Sequence, residues 1–122
     1  MPLILIVDDV LDLRRMLGKF LSKAGHTPLM AESGPEALAI IRERKPDLVL
    51  LDIGMPEMDG FEVLEAMPRH PANGPDPPVI MLTAFSDGAR LHRAQELGAS
   101  DYFVKGTFDP GLLLERIEQL VA

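Results

Sequence analysis

The chain has 122 residues, a length that fits a single domain over 1–122, since two cores of half that size would each be undersized. With 47% hydrophobic and 25% charged residues it has the composition of an ordinary folded domain and not that of a disordered chain. Lys plus Arg number 12 against 19 Asp plus Glu, a net charge of −7, and a surface of that sign repels phosphate backbones, so no direct nucleic-acid contact is expected.

In chain order, five short apolar runs alternate with helical spacing. Leu3–Val7 is an unbroken apolar strand, as expected where both faces of a parallel sheet are covered. Leu13, Met16, Leu17, Phe20, Leu21 and Ala24 then recur at three and four residues, a helix that Gly25 stops. Thr27–Ala31 is the second run. Ser33 with Glu36 has the spacing of a capping box, Pro35 suits a first turn, and Ala37, Leu38 and Ile41 fall on one face. Leu48–Leu51 is the third run, after which Asp59 caps a short helix through Phe61, Leu64 and Met67 that Pro68 ends. Five prolines and Gly74 in 68–78 predict a stiff surface loop. Residues 79–82 form the fourth run, Leu91, Ala94 and Leu97 a helix closed by Gly98, and residues 102–104 the fifth run. Asp109 caps a last helix whose stripe is Leu113, Leu114, Ile117, Leu120 and Val121. Strand and helix in alternation define an α/β fold: a parallel sheet sandwiched between helices.

Chemistry-bearing residues follow the strands. Asp8 and Asp9 come after the first, Asp52 after the third, Thr83 after the fourth and Lys105 after the fifth. In a parallel sheet these carboxyl ends share one edge, where open α/β sheets bind ligands. If the first and third strands are neighbours, three carboxylates meet in the crevice between them, a composition suited to a hard, oxygen-seeking cation such as Mg²⁺. Taken singly, an aspartate after a strand is as readily a helix cap, a threonine a turn residue and a lysine a solvated charge. Capping does not account for two adjacent aspartates on one strand end and a third on another, followed by Ile53-Gly54-Met55-Pro56.

The run Leu5-Ile6-Val7-Asp8-Asp9, the segment from Lys45-Pro46-Asp47 to Asp52, the loop Met55-Pro56-Glu57-Met58-Asp59-Gly60, the pair Thr83-Ala84 and Lys105 together resemble the receiver domain of two-component response regulators, over essentially the whole chain. The resemblance implies a doubly wound, flavodoxin-like five-stranded sheet in the order 2-1-3-4-5. It implies Asp52 as phosphoacceptor, attacking a phosphoryl group delivered by a histidine kinase or histidine phosphotransfer protein. It further implies Mg²⁺ held by Asp8, Asp9, Asp52 and the backbone carbonyl of Gly54, with Lys105 and Thr83 on phosphoryl oxygens. Thr83 and Tyr102 would then act as the conformational switch toward a downstream protein target. On this reading the chain is a phosphorelay switch that assists its own phosphotransfer and dephosphorylation, bacterial in type, and not an enzyme in the usual sense. The family usually has Pro after the lysine, in a cis bond; Gly106 stands here, and a trans bond is expected because a non-proline cis bond costs about 2.5–4 kcal/mol.

Rival readings are a degenerate receiver that binds partners without phosphorylation, an Mg²⁺-dependent phosphatase with an aspartyl nucleophile, and a flavin-binding module. The intact set of Asp8, Asp9, Asp52, Thr83 and Lys105 opposes the first. Asp8-Asp9-Val10 lacks the Asp-any-Asp pattern of the second, and Val10-Leu11-Asp12-Leu13 is no phosphate cradle for the third. His26, His70 and His92 stand at no ligand spacing and read as surface or loop residues; Met58 and Met67 read as packing. The chain has no cysteine, so it has no disulfide frame and no thiolate metal site. No apolar run approaches the roughly 20 residues a bilayer span needs, and Met1-Pro2 does not open a signal peptide. A cytoplasmic location without membrane contact is the expectation.

Overall fold

Strand β1 (Leu3–Val7) pairs in parallel with β2 (Thr27–Ala31) on one side and β3 (Leu48–Leu51) on the other; β3 pairs with β4 (Val79–Thr83) and β4 with β5 (Asp101–Val104). The sheet order is therefore β2-β1-β3-β4-β5, the expected 2-1-3-4-5. The computed structural model describes residues 1–70, 74–84 and 87–122. Helices α1 (Leu11–Lys23), α2 (Gly34–Arg44), α3 (Gly60–Ala66), α4 (Gly88–Glu96) and α5 (Pro110–Val121) connect the strands.

The period-2 alternation of a strand splits the apolar runs between two cores. Leu5, Val7, Val49, Leu51, Val79 and Met81 pack against Ala37 and Ile41 of α2, Val63 and Leu64 of α3 and Ala94 of α4. Ile4, Ile6, Leu48, Leu50, Ile80 and Leu82 pack against Leu17 and Leu21 of α1 and Leu113 and Ile117 of α5. Because α1 leaves β1 on one face and α3 leaves β3 on the other, the chain direction reverses at the β1/β3 boundary and opens a crevice at the strands' carboxyl ends.

Local chemistry departs from the sequence reading in four places. Ser33 Oγ accepts the Glu36 N–H at 3.4 Å, one half of the expected capping box; the reciprocal pair belongs to α3, where Asp59 and Glu62 bond each other's backbone N–H. Met16, placed on the apolar stripe, is 53% exposed, while Arg14 joins Leu17, Gly18 and Leu21 on the buried face of α1. His26 lies in a loop as expected but is buried, with neither ring nitrogen hydrogen-bonded. The cause is the end of α1: the Gly25 N–H bonds Ser22 O and the His26 N–H bonds Leu21 O, and Gly25 has φ +90°. That is a Schellman motif, whose last residue packs back on the helix and here is a histidine. Finally, the proline-rich stretch is not loop throughout: Arg69–His70 pairs antiparallel with Gly74–Pro75, and positions 71–73 lie outside the described residues. His92 is exposed on α4 and pairs with Glu96. Met67 is buried, and Met58 packs against the core on the α2–α4 side of the sheet.

Candidate functional site

Strand register assembles the site. Val7 stands opposite Leu51, so the next residues, Asp8 and Asp52, emerge side by side. The ladder runs one residue further: the Asp8 N–H bonds Ala31 O at 3.1 Å and the Asp52 N–H bonds Val7 O at 3.0 Å. One carboxylate oxygen each from Asp8, Asp9 and Asp52 lies within 4.8 Å of the other two. Asp8 and Asp52 are buried, at 2% and 6% exposure, and Asp9 is exposed.

Lys105 reaches the same point from β5. Its backbone N–H bonds Thr83 O at 2.6 Å, and its ammonium lies 2.6 Å from Asp8 Oδ2 and 3.3 Å from Asp52 Oδ1. The Lys105–Gly106 peptide is trans, as expected, and Gly106 takes φ +80°, where it meets open space. Thr83 closes β4 and is fully buried. Gly54 donates its N–H to Asp52 Oδ1 at 3.3 Å. The loop beyond folds back through the Gly60 N–H to Ile53 O at 2.9 Å. A Cβ on Gly60 would collide with the Asp52 carbonyl oxygen and lie 2.8 Å from Ile53 Cα, so the close approach of α3 to the acidic strand end requires glycine there.

Electrostatics follows from this crowding. Burial pushes the Asp52 carboxyl above its ordinary value and the Asp8 charge adds to the rise, while Lys105 and the Gly54 N–H oppose it. For Lys105, burial works against the ammonium, but its hydrogen bond to Asp8 and the charge of Asp52 outweigh that, and its pKa stands above the usual lysine value. Tyr102, on β5, is half-buried against the core under α2–α4. Its phenol is raised by burial and by the charge of Asp87 at the start of α4, against the influence of Arg90.

Every residue expected at the site from strand-end position is therefore at one pole, and Tyr102 lies on the flank toward α4. One residue was missed. Arg14, 8% exposed, sends one guanidinium nitrogen to the Asp8 carbonyl oxygen at 2.6 Å and holds the other 3.8 Å from Glu32 Oε2. Its signal was present: 14, 17, 18 and 21 are the i, i+3, i+4, i+7 positions of a buried stripe, and one of them carries a charge.

The donor set fits a divalent cation: it is all oxygen, three carboxylates converge, and a cationic ammonium already lies between two of them. Among the described residues no helix is long and apolar enough to cross a membrane.

A response regulator receiver domain model matches residues 4–118, and the chain belongs to that family. It is 42% identical over 118 residues to a probable transcriptional regulator, ycf27, of Cyanophora paradoxa, covering 97% of this chain and 47% of that protein. It is 39% identical to the phosphate regulon transcriptional regulatory protein PhoB of Pseudomonas aeruginosa, with 97% and 51% covered. The chain thus spans about half the length of these curated relatives, and their sources do not restrict the family to bacteria. Among solved structures, the chemotaxis protein CheY4 of Vibrio cholerae aligns with TM-score 0.83 at 29% identity, covering 98% of each chain. A CheY-like receiver domain from Methanospirillum hungatei aligns with TM-score 0.85 at 30% identity, covering 99% of this chain and 94% of that one.

Proposed function

We propose that this receiver accepts a phosphoryl group on Asp52 from a histidine kinase or histidine phosphotransfer protein, with Mg²⁺, and passes the change to a protein target. The observation that carries the reading is the convergence of Asp8, Asp9, Asp52 and Lys105 at one sheet edge. An Asp52 carboxylate oxygen attacks phosphorus in line, the bond from phosphorus to the donor's imidazole nitrogen breaks with its electron pair going to that nitrogen, and an acyl phosphate results. Asp8, Asp9, Asp52 and the Gly54 carbonyl would hold Mg²⁺, which when bound neutralises charge on the carboxylates and the phosphoryl oxygens. Lys105 turns its ammonium to one phosphoryl oxygen and the Thr83 hydroxyl donates to another. Movement of Thr83 then draws Tyr102 inward and reshapes the flank formed by α4 and β5. The chain acts as a switch and not as an enzyme. Its −7 charge favours protein targets over nucleic acid for these residues, and a cytoplasmic setting supplies its phosphodonors.

Incubation with acetyl phosphate and Mg²⁺ followed by intact mass measurement tests the reading. One phosphoryl group is expected in the native chain, and none in Asp52→Asn or in EDTA. Equal incorporation in Asp52→Asn would place the acceptor elsewhere and overturn it.

A further inference from the structure

We propose that Arg14 is a positioning residue for the cation site, acting through the peptide that joins Asp8 to Asp9; the inference rests on the Mg²⁺ reading above. A peptide is a rigid plane. Whatever holds its carbonyl oxygen therefore sets the direction in which the next residue departs. The carbonyl of Asp8 belongs to the plane that links the two adjacent carboxylates of the cluster, and an Arg14 nitrogen holds it at 2.6 Å.

Among the described residues no other hydrogen bond is made by that plane's carbonyl or N–H, and the plane is spanned by one turn, from the Asp8 carboxylate to the Val10 N–H. The Asp8 N–H belongs to the preceding peptide and is tied to Ala31 O, and the Asp8 carboxylate accepts the Val10 N–H at 2.9 Å and the Lys105 ammonium. Helix α1 begins only at Leu11, behind an N-cap residue, Val10, with no side-chain cap. Asp9 therefore sits between the end of the ladder and the start of the helix, and the guanidinium together with that turn sets its aim. Side chains on a helix lean toward its N-terminus, which lets residue 14 reach back to residue 8. Glu32, just past β2 and exposed, lies 3.8 Å from a second guanidinium nitrogen, an ion pair without a hydrogen bond, so the fork lies between the ends of β1 and β2 and the first turns of α1. A lysine could make one of these contacts but not both in the same plane.

The positioning role and a plain charge role predict opposite signs. Removing a positive charge beside an acidic cluster should by Coulomb's law tighten cation binding. Loosening the Asp8–Asp9 plane should weaken it, and loss of groups that orient metal ligands costs about tenfold or more in affinity. Mg²⁺ affinity is therefore measured by calorimetry, and unfolding temperature in EDTA is measured separately, for the native chain, Arg14→Met, Arg14→Lys and the control Arg15→Met. Arg15 is exposed on the same helix and, among the described residues, makes no hydrogen bond or ion pair with the cluster, so its loss changes charge without touching the plane. About tenfold weaker Mg²⁺ binding in Arg14→Met is expected, with Arg15→Met equal to or tighter than native and Arg14→Lys intermediate. Unchanged or tighter binding in Arg14→Met overturns the proposal, including the case where only its unfolding temperature falls. If Arg14→Met does not fold, Arg14→Lys decides: weakening of twofold or more supports positioning, and native affinity refutes it. Failure of the native chain itself to bind Mg²⁺ would instead overturn the underlying functional reading.

Discussion

Replacing Lys105 by methionine removes the cation that lies between Asp8 and Asp52 while keeping a side chain of similar length. At the separations of 2.6 and 3.3 Å and an effective dielectric of about 20, the gross attractions are about 6 and about 5 kcal/mol. Burial of the ammonium, costing several kcal/mol, and up to about 2 kcal/mol of lysine rotamer entropy offset much of this. Stripping one partner from a buried pair costs about 3–5 kcal/mol net; the lysine side chain retains 21% exposure, which selects the lower end, about 3 kcal/mol. For a domain of this size that corresponds to a fall in melting temperature of about 12 °C. Calorimetry in EDTA at neutral pH measures it. Added Mg²⁺ should then recover more in Lys105→Met than in the native chain, since the cation no longer has to displace an ammonium. With Mg²⁺ affinity raised about tenfold, the variant gains about 1.4 kcal/mol beyond the native response at saturating metal. A fall of less than about 3 °C, or a Mg²⁺ response no greater than native, would refute the placement of Lys105 as the internal counter-ion of the two buried carboxylates.

Other outcomes follow from the same geometry. Since the folded state raises Asp52, it binds more protons than the unfolded chain between the ordinary carboxylate pKa and the raised value, so Asp52→Asn should be the more stable protein in EDTA near neutrality and its advantage should shrink as pH falls through that window; a gap that widens on acidification contradicts it. Lys105, also raised, contributes stability that is lost as pH rises through its elevated pKa, and the alkaline limb of the native stability profile should flatten in Lys105→Met. Gly60→Ala drives a methyl into the Asp52 backbone and should cost about 1–3 kcal/mol as well as slow phosphate incorporation. By contrast Gly106→Ala meets open space and should cost only about 1 kcal/mol, through its positive φ. Tyr102 is the single tyrosine and there is no tryptophan, so intrinsic fluorescence reports that side chain alone: fluoroberyllate on Asp52 should change its emission or its quenching by iodide, and the change should vanish in Thr83→Ala.

The centre of the sheet was legible because β1, β3 and β4 are buried on both faces: β1 and β3 could be read to the residue from unbroken apolar runs. The site was legible for a related reason, since a parallel sheet turns strand ends into neighbours and the residues after each run could be placed together before any distance was known. What escaped was chemistry that periodicity does not weigh. Arg14 sits on the buried face because its charged end is hydrogen-bonded to a carbonyl outside the helix and lies near the Glu32 carboxylate, and an apolar-stripe argument looks past it to Met16. His26 is buried by the backbone path after Gly25, which a residue type favouring exposure does not announce. Ser33-Glu36 and Asp59-Glu62 share the same spacing, yet only the second closes into a reciprocal pair, a difference set by side-chain geometry and not by sequence spacing.

The thin anchoring of α4 has a thermodynamic consequence. Ala94 alone of its nine residues is buried, whereas the shorter α3 buries four. With little apolar area to lose, α4 can detach from the sheet at a small fraction of the free energy that opens β1 or β3, and its amides should exchange with solvent earliest among the five helices. A partner that grips this helix then contributes to ordering it, so that affinity for the partner and the local opening equilibrium of α4 become one linked quantity. A perturbation at the strand ends should bias such an element more readily than α1, which buries four of its thirteen residues.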